Sequence, residues 1–202
     1  MSRLFKTRRH GRAYGEPMYV ASAASRLQDI LRDIKPGQLG VPTPCTEYDV
    51  HALINHLLFW GPSLEGAARK ENVPPPAGAE RDLGLTTDDL IAQLDRTTAA
   101  WSEPGAWEGI THMGGPTELP AALVGGMVAG ELTVHAWDLA KATGQVLAPD
   151  DDLLDYLLGE VGKTAEQGRQ MGMYGPEVPV PATAPKLDRV LGLTGRAPGW
   201  SA

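Results

Sequence analysis

Glu131 and His135 stand four positions apart inside an otherwise apolar stretch, and Asp138 follows three residues later. On an α-helix, positions i and i+4 lie within ~40° of each other and i and i+7 within ~20°. The three polar groups therefore share one face, beside Met127, Val128, Val134 and Leu139. An ionised carboxylate among such neighbours is costly unless it is paired or coordinated. Two arrangements meet that requirement: a buried Glu131–His135 ion pair, or a divalent ion held by both side chains. Two protein groups hold a metal weakly, so the second arrangement needs a third ligand from elsewhere. The candidates are His51 and His56, whose spacing of five puts them ~140° apart on a helix, so that only one can face a given site. His51 lies nearer the stripe of Val50, Leu53, Ile54, Leu57 and Leu58, whereas His56 shares a face with Ala52, Phe59, Trp60 and Ser63. Periodicity leaves the choice open.

The elements that must position these residues read as helices. Val20, Leu27, Ile30, Leu31 and Ile34 predict a helix over 19–34, stopped by Pro36-Gly37. Thr46-Glu47-Tyr48-Asp49 has the form of a capping box opening a second helix. Residues 73–85 form a Pro-rich linker, and Thr86-Thr87-Asp88-Asp89 is a further capping box, starting a helix to about Trp101. The Gly-, Pro- and Trp-rich stretch 102–118 holds a turn or short strand. Pro120 suits a first helical turn, and the helix it begins runs to about Thr143, closed by Gly144. Apolar neighbours on nearly every side mark that helix as buried. Asp150 to Asp152 open one more, an extended tail follows over 174–185, and a short helix covers 187–193. Some four or five helices of roughly 12 to 24 residues make an all-α bundle the natural architecture.

Composition narrows the function classes. The formal net charge of -7 argues against nucleic-acid binding driven by phosphate neutralisation. The longest apolar run, over 121–130, is far short of the ~20 residues of a membrane span. No apolar core follows the basic start, so no signal peptide is expected. A single cysteine, Cys45, allows no internal disulfide framework and makes a reducing cytoplasm the default compartment. Five of the 18 basic residues fall in the first 17 positions, and residues 1–18 read as a basic, disordered extension ahead of one helical domain over 19–202.

The stretch Thr43-Pro44-Cys45 … Asp49-Val50 … Leu53-Ile54-Asn55-His56-Leu57 resembles the amino-terminal signature of the DinB-like superfamily, and more narrowly the branch with the metal-binding domain of mycothiol-dependent maleylpyruvate isomerase. Glu131-Leu132-Thr133-Val134-His135-Ala136-Trp137-Asp138 resembles that branch's second signature, and the ending from Tyr174-Gly175-Pro176 to Pro198-Gly199-Trp200 resembles a subgroup described only as metal-binding. The resemblance implies a DinB-like four-helix bundle of the up-down-down-up type, with an extended tail and a short extra helix. Matched residue by residue, it implies His56, Glu131 and His135 as the metal ligands and leaves out His51.

Two His and one Glu with an open fourth position form a catalytic set of ligands, best suited to zinc, with nickel as a second divalent candidate. Asp138 is placed to accept the second ring N–H of His135; a salt bridge to Lys141 or Arg189 is its other reading. The resemblance implies mycothiol as thiol cosubstrate, and hence S-transfer or thiol-assisted isomerisation of a small electrophile. Metal-dependent hydrolysis and a non-catalytic metal- or ligand-binding module are the alternatives. The isomerase of that branch has a further carboxy-terminal domain, for which this sequence has no room, so S-transfer is the more portable expectation. Arg189 and Arg196 are weak candidates to hold a substrate or cofactor carboxylate, and read better as anchors of the terminal segment. Cys45 reads as a small buried residue, His10 and His112 as solvent-facing, and the tryptophans as packing. The partners expected are a small-molecule thiol and its electrophile, with no nucleic acid and no membrane, and a homodimer is open as the assembly state.

Overall fold

A computed structural model describes residues 16–170 and 172–201. Nearly all of the basic amino-terminal segment, with His10, lies outside them. The helices fall where the apolar periods put them: α1 (Glu16–Asp33), α2 (Val50–Ala68), α3 (Thr87–Trp101), α4 (Ala121–Thr143), α5 (Asp151–Gln170) and α6 (Lys186–Leu193). α1 begins three residues earlier than its apolar pattern, with Pro17 in the first turn, where a missing N–H leaves no bond unmade. Two three-residue strands, β1 (Ile110–His112) and β2 (Glu118–Pro120), pair antiparallel within the Gly-rich stretch before α4.

The start of α2 differs from the capping box read at Thr46. Asp49 itself is the N-cap, its carboxylate accepting from the Ala52 N–H at 2.8 Å. Thr46 to Tyr48 instead close a turn, in which the Thr43 hydroxyl donates to the carbonyls of Tyr48 (2.7 Å) and Cys45 (3.0 Å). α3 does open on the box at Thr86 and Asp89, and α4 closes on Gly144, left-handed at φ 74 as that cap demands.

Four helices enclose the core, with neighbouring pairs α1–α4, α4–α2, α2–α3 and α3–α1, while α5 packs on α4 and α6 on α5. α4 is the central member, buried along nearly its whole length. Glycine makes its close contacts possible: a methyl group at Gly125 would run into the Trp107 ring, and one at Gly126 would sit 2.9 Å from the Tyr156 hydroxyl. Trp101 and Trp107 meet edge to face. Their indole N–H groups donate to the carbonyls of Leu64 and Trp101, so both large rings are buried without an orphaned donor. Among the described residues no helix is long and apolar enough to cross a membrane.

Candidate metal centre

His56 projects from α2 and Glu131 and His135 from α4, and the three meet where those helices pack. His56 Nε2 lies 3.1 Å from Glu131 Oε1, and His135 Nε2 lies 3.2 Å from the same oxygen. One donor atom from each residue fits within 4.8 Å of the other two. The imidazoles are mostly buried, with side chains 16% and 8% exposed, while Glu131 keeps 33% of its side chain open to solvent. The site is therefore walled on the histidine side and accessible at the carboxylate.

The outer nitrogen of each ring faces another carboxylate. His135 Nδ1 is 2.9 Å from Asp138 Oδ2, and Asp138, fully buried, also accepts from Arg196 through Nε (3.2 Å) and Nη2 (3.0 Å). His56 Nδ1 is 2.9 Å from Glu80 Oε1, which also accepts from the Trp60 indole at 2.8 Å. The Tyr48 hydroxyl donates to Glu80 Oε2 at 3.2 Å. Glu80 belongs to the Pro-rich segment between α2 and α3, where composition predicts only a linker. No period or motif marks it there.

The electrostatics follow from this crowding. Burial pushes the Glu131 carboxyl up, but His135 and His56 outweigh it and hold the group well below its ordinary range. Burial likewise disfavours the His135 imidazolium, yet Glu131 and Asp138 win and raise its pKa to about 9. His56 is raised in the same way, Glu131 and Glu80 together overcoming desolvation. In the absence of a cation, protons on the imidazoles do its work.

The donor set fits a divalent ion. Bonds of ~2.0–2.1 Å in a tetrahedral zinc sphere put neighbouring N and O donors ~3.3–3.4 Å apart; the two separations to Glu131 Oε1 are 3.1 and 3.2 Å, and donor atoms of the two imidazoles lie within 4.8 Å of each other. Each imidazole also has its far nitrogen held by a carboxylate, the usual support of a ligating histidine.

Several residues sit otherwise than their sequence suggested. His51 lies on the exposed side of α2, 3.1 Å from Asp82. Asp138 pairs with Arg196, not with Lys141 or Arg189; Lys141 stands over the Trp137 ring instead. Arg189 makes no ion pair among the described residues, and the Arg196 fork is committed to Asp138. His112 is half-buried in β1 and not fully solvent-facing, its Nδ1 buried without a partner. Cys45 is half-buried and not the fully buried residue expected, and the fold brings its sulfur within 4.8 Å of donor atoms of His135 and Asp138. Burial pushes that thiol up to about 11, against the pull of Arg196, so it stays protonated at neutral pH.

Residues 20–140, a span holding all three converging side chains, match the family model of the mycothiol maleylpyruvate isomerase N-terminal domain. The chain belongs to that family. It is 31% identical over 185 residues to an uncharacterized protein of Mycobacterium tuberculosis, MT0763 of strain CDC 1551 / Oshkosh, covering 86% of this chain and 96% of the relative. The same figures hold for the uncharacterized protein Rv0738 of the H37Rv strain (ATCC 25618). Among solved structures, the mycothiol-dependent maleylpyruvate isomerase is similar with a TM-score of 0.56 and 18% identity, over 92% of this chain and 80% of that one. A mutant form of the same enzyme gives 0.56 and 17%. At such identity the likeness is one of fold.

Proposed function

We propose that this protein holds one divalent metal ion through His56, Glu131 and His135 and uses it to activate a small-molecule thiol, for S-transfer to a small electrophile or its thiol-assisted isomerisation. The observation that carries the reading is the convergence of two imidazole Nε2 atoms from different helices on one carboxylate oxygen, at 3.1 and 3.2 Å, with the carboxylate side chain still partly exposed. Zinc suits the ligands best, with nickel second. The family, together with what its structurally similar member depends on, favours mycothiol as the thiol.

A divalent ion so held supplies Lewis acidity that lowers the pKa of a coordinating thiol into the neutral range. The chain's own part is to present donors and exclude competitors. Glu131 contributes the one anionic donor and tolerates partial burial because two imidazoles flank it. Asp138 keeps a proton on His135 Nδ1 and so leaves Nε2 free to coordinate. The Cys45 sulfur clusters with His135 and Asp138 and is not a member of the three-residue donor set.

A second reading has its own observation: Glu131 already lies within ion-pair distance of both histidines, so a metal-free His–Glu–His cluster would satisfy the buried charge. Elemental analysis of protein purified without a His tag separates the two. Near one metal per chain in the parent, with little in His56→Ala and in His135→Ala, supports the metal site. Equal metal in all three, or none in any after zinc and nickel are offered, overturns it. With the metal in place, calorimetric titration with mycothiol tests the thiol assignment. Heat that disappears on chelation supports it, and metal-independent heat, or none, overturns it.

A further inference from the structure

The segment joining α2 to α3, residues 69–86, is a strap laid along α2. The Asn55 amide binds it twice, donating to the Arg81 carbonyl at 3.0 Å and accepting from the Leu83 N–H at 2.8 Å. Asp82 closes on His51 at 3.1 Å and accepts from the Gly84 N–H at 2.8 Å. These contacts run beside His56 and set the height at which Glu80 enters.

We infer that Glu80 is a positioning residue for His56, fixing the ring with its Nδ1–H outward and its Nε2 lone pair turned toward Glu131. The inference rests on the metal reading for its purpose, but not for its geometry. An ionised carboxylate only accepts hydrogen bonds, so hydrogens shared with Glu80 at Nδ1 (2.9 Å) and with Glu131 at Nε2 (3.1 Å) both belong to the imidazole. The two carboxylates are not equal claimants: Glu80 is the nearer, and Glu131 Oε1 is shared with His135 Nε2 at 3.2 Å. The Tyr48 hydroxyl, 3.2 Å from Nδ1, gives its own hydrogen to Glu80 and can only accept there. A ring with a single hydrogen therefore keeps it on Nδ1 and has its lone pair on Nε2. Glu80 cannot turn away without loss, because the Trp60 indole and the Tyr48 hydroxyl bind it from two other directions. Asp138 does the same for His135 under the hold of Arg196. The two histidines thus receive equivalent support from parts of the chain with nothing in common in sequence. Glu80 makes the strap between α2 and α3 part of the site.

The test pairs Glu80→Gln, which keeps the size and removes the charge, with Asp82→Asn, which loosens the strap at His51 and leaves Glu80 intact. Zinc affinity is measured by competition with a chromophoric chelator. The His56 tautomer is read from long-range 1H–15N spectra of the metal-free protein, above the imidazole titrations. Glu80→Gln should bind zinc roughly 10–100-fold more weakly and shift His56 away from the Nδ1–H tautomer, with His135 unmoved. Asp82→Asn should match the parent in both. An unchanged His56 tautomer in Glu80→Gln overturns the inference, as does an equal loss in Asp82→Asn, which would make the strap and not the carboxylate responsible. A parent that takes up no zinc sinks the metal reading alone, since the tautomer still decides whether Glu80 sets the ring.

Discussion

Glu131 sits between two imidazoles and reverses the usual effect of burial on both. With its folded-state pKa raised from 6.5 to about 9, His135 contributes stability that is fully present below 6.5 and is lost as the pH climbs through 9. Metal-free protein should therefore melt at a lower temperature at the alkaline end of that window than at the acid end, and Glu131→Gln should flatten the trend. Zinc competes with protons for the same Nε2 atoms, so its affinity should rise across the window in which the metal-free fold weakens. Chelator competition at several pH values beside thermal melts would show the two trends running in opposite directions; parallel trends would mean that protons and metal do not share the site. At this scale the sequence was partly readable. The spacing of Glu131, His135 and Asp138 put three polar groups on one face because a helix has a fixed period. Periodicity alone leaves His51 against His56 undecided, because which side of α2 faces α4 depends on packing between distant segments, and only the family resemblance selects His56. Glu80 was invisible: a coil has no period that would point a side chain.

The helices were legible where the signal is local and lost where it is not. The Thr86–Asp89 box and the Pro120-to-Gly144 bracket fix the ends of α3 and α4 within a few residues, because caps satisfy backbone groups of the same turn. Thr46 carries the right side chain for a box ending at Asp49, yet the structure caps α2 at Asp49 itself. What displaced the box is the Thr43 hydroxyl, which folds 43–48 into a turn and leaves Asp49 as the first residue with a free N–H to accept from. α4 illustrates a constraint of a different kind. Gly→Ala in a helix interior ordinarily gains about 1 kcal/mol, but at Gly125 the added methyl meets the Trp107 ring, which is 5% exposed and bonded through its indole to Trp101. Gly125→Ala should therefore lower the denaturation midpoint, as overpacking typically costs ~1–3 kcal/mol, while leaving metal content unchanged. A rise in stability would show that Trp107 has room to move.

Across the whole molecule, the site draws on four separated parts of the chain: α2, the strap after it, α4, and the segment following α6. The bundle itself could be anticipated from helix number and apolar faces, and the family resemblance extended that to the order of the fold. The joining of the carboxy-terminal segment to the site could not be, because Arg196 was readable as an anchor but Asp138 was not readable as its mooring. That link should be strong. Arg196→Met would leave the fully buried Asp138 carboxylate with His135 alone, and breaking one side of a buried pair costs ~3–5 kcal/mol, measurable by urea denaturation. A loss below about 1 kcal/mol would place the pair among the weak, solvent-screened ones.

The Arg196–Asp138 contact also has a consequence for limited proteolysis. The extended stretch between α5 and α6 separates Arg196 from the helix that carries Asp138. A cut that removed the segment after α6 would strip the buried carboxylate of its cation and be felt at His135 through Asp138, although none of the three converging side chains would be touched.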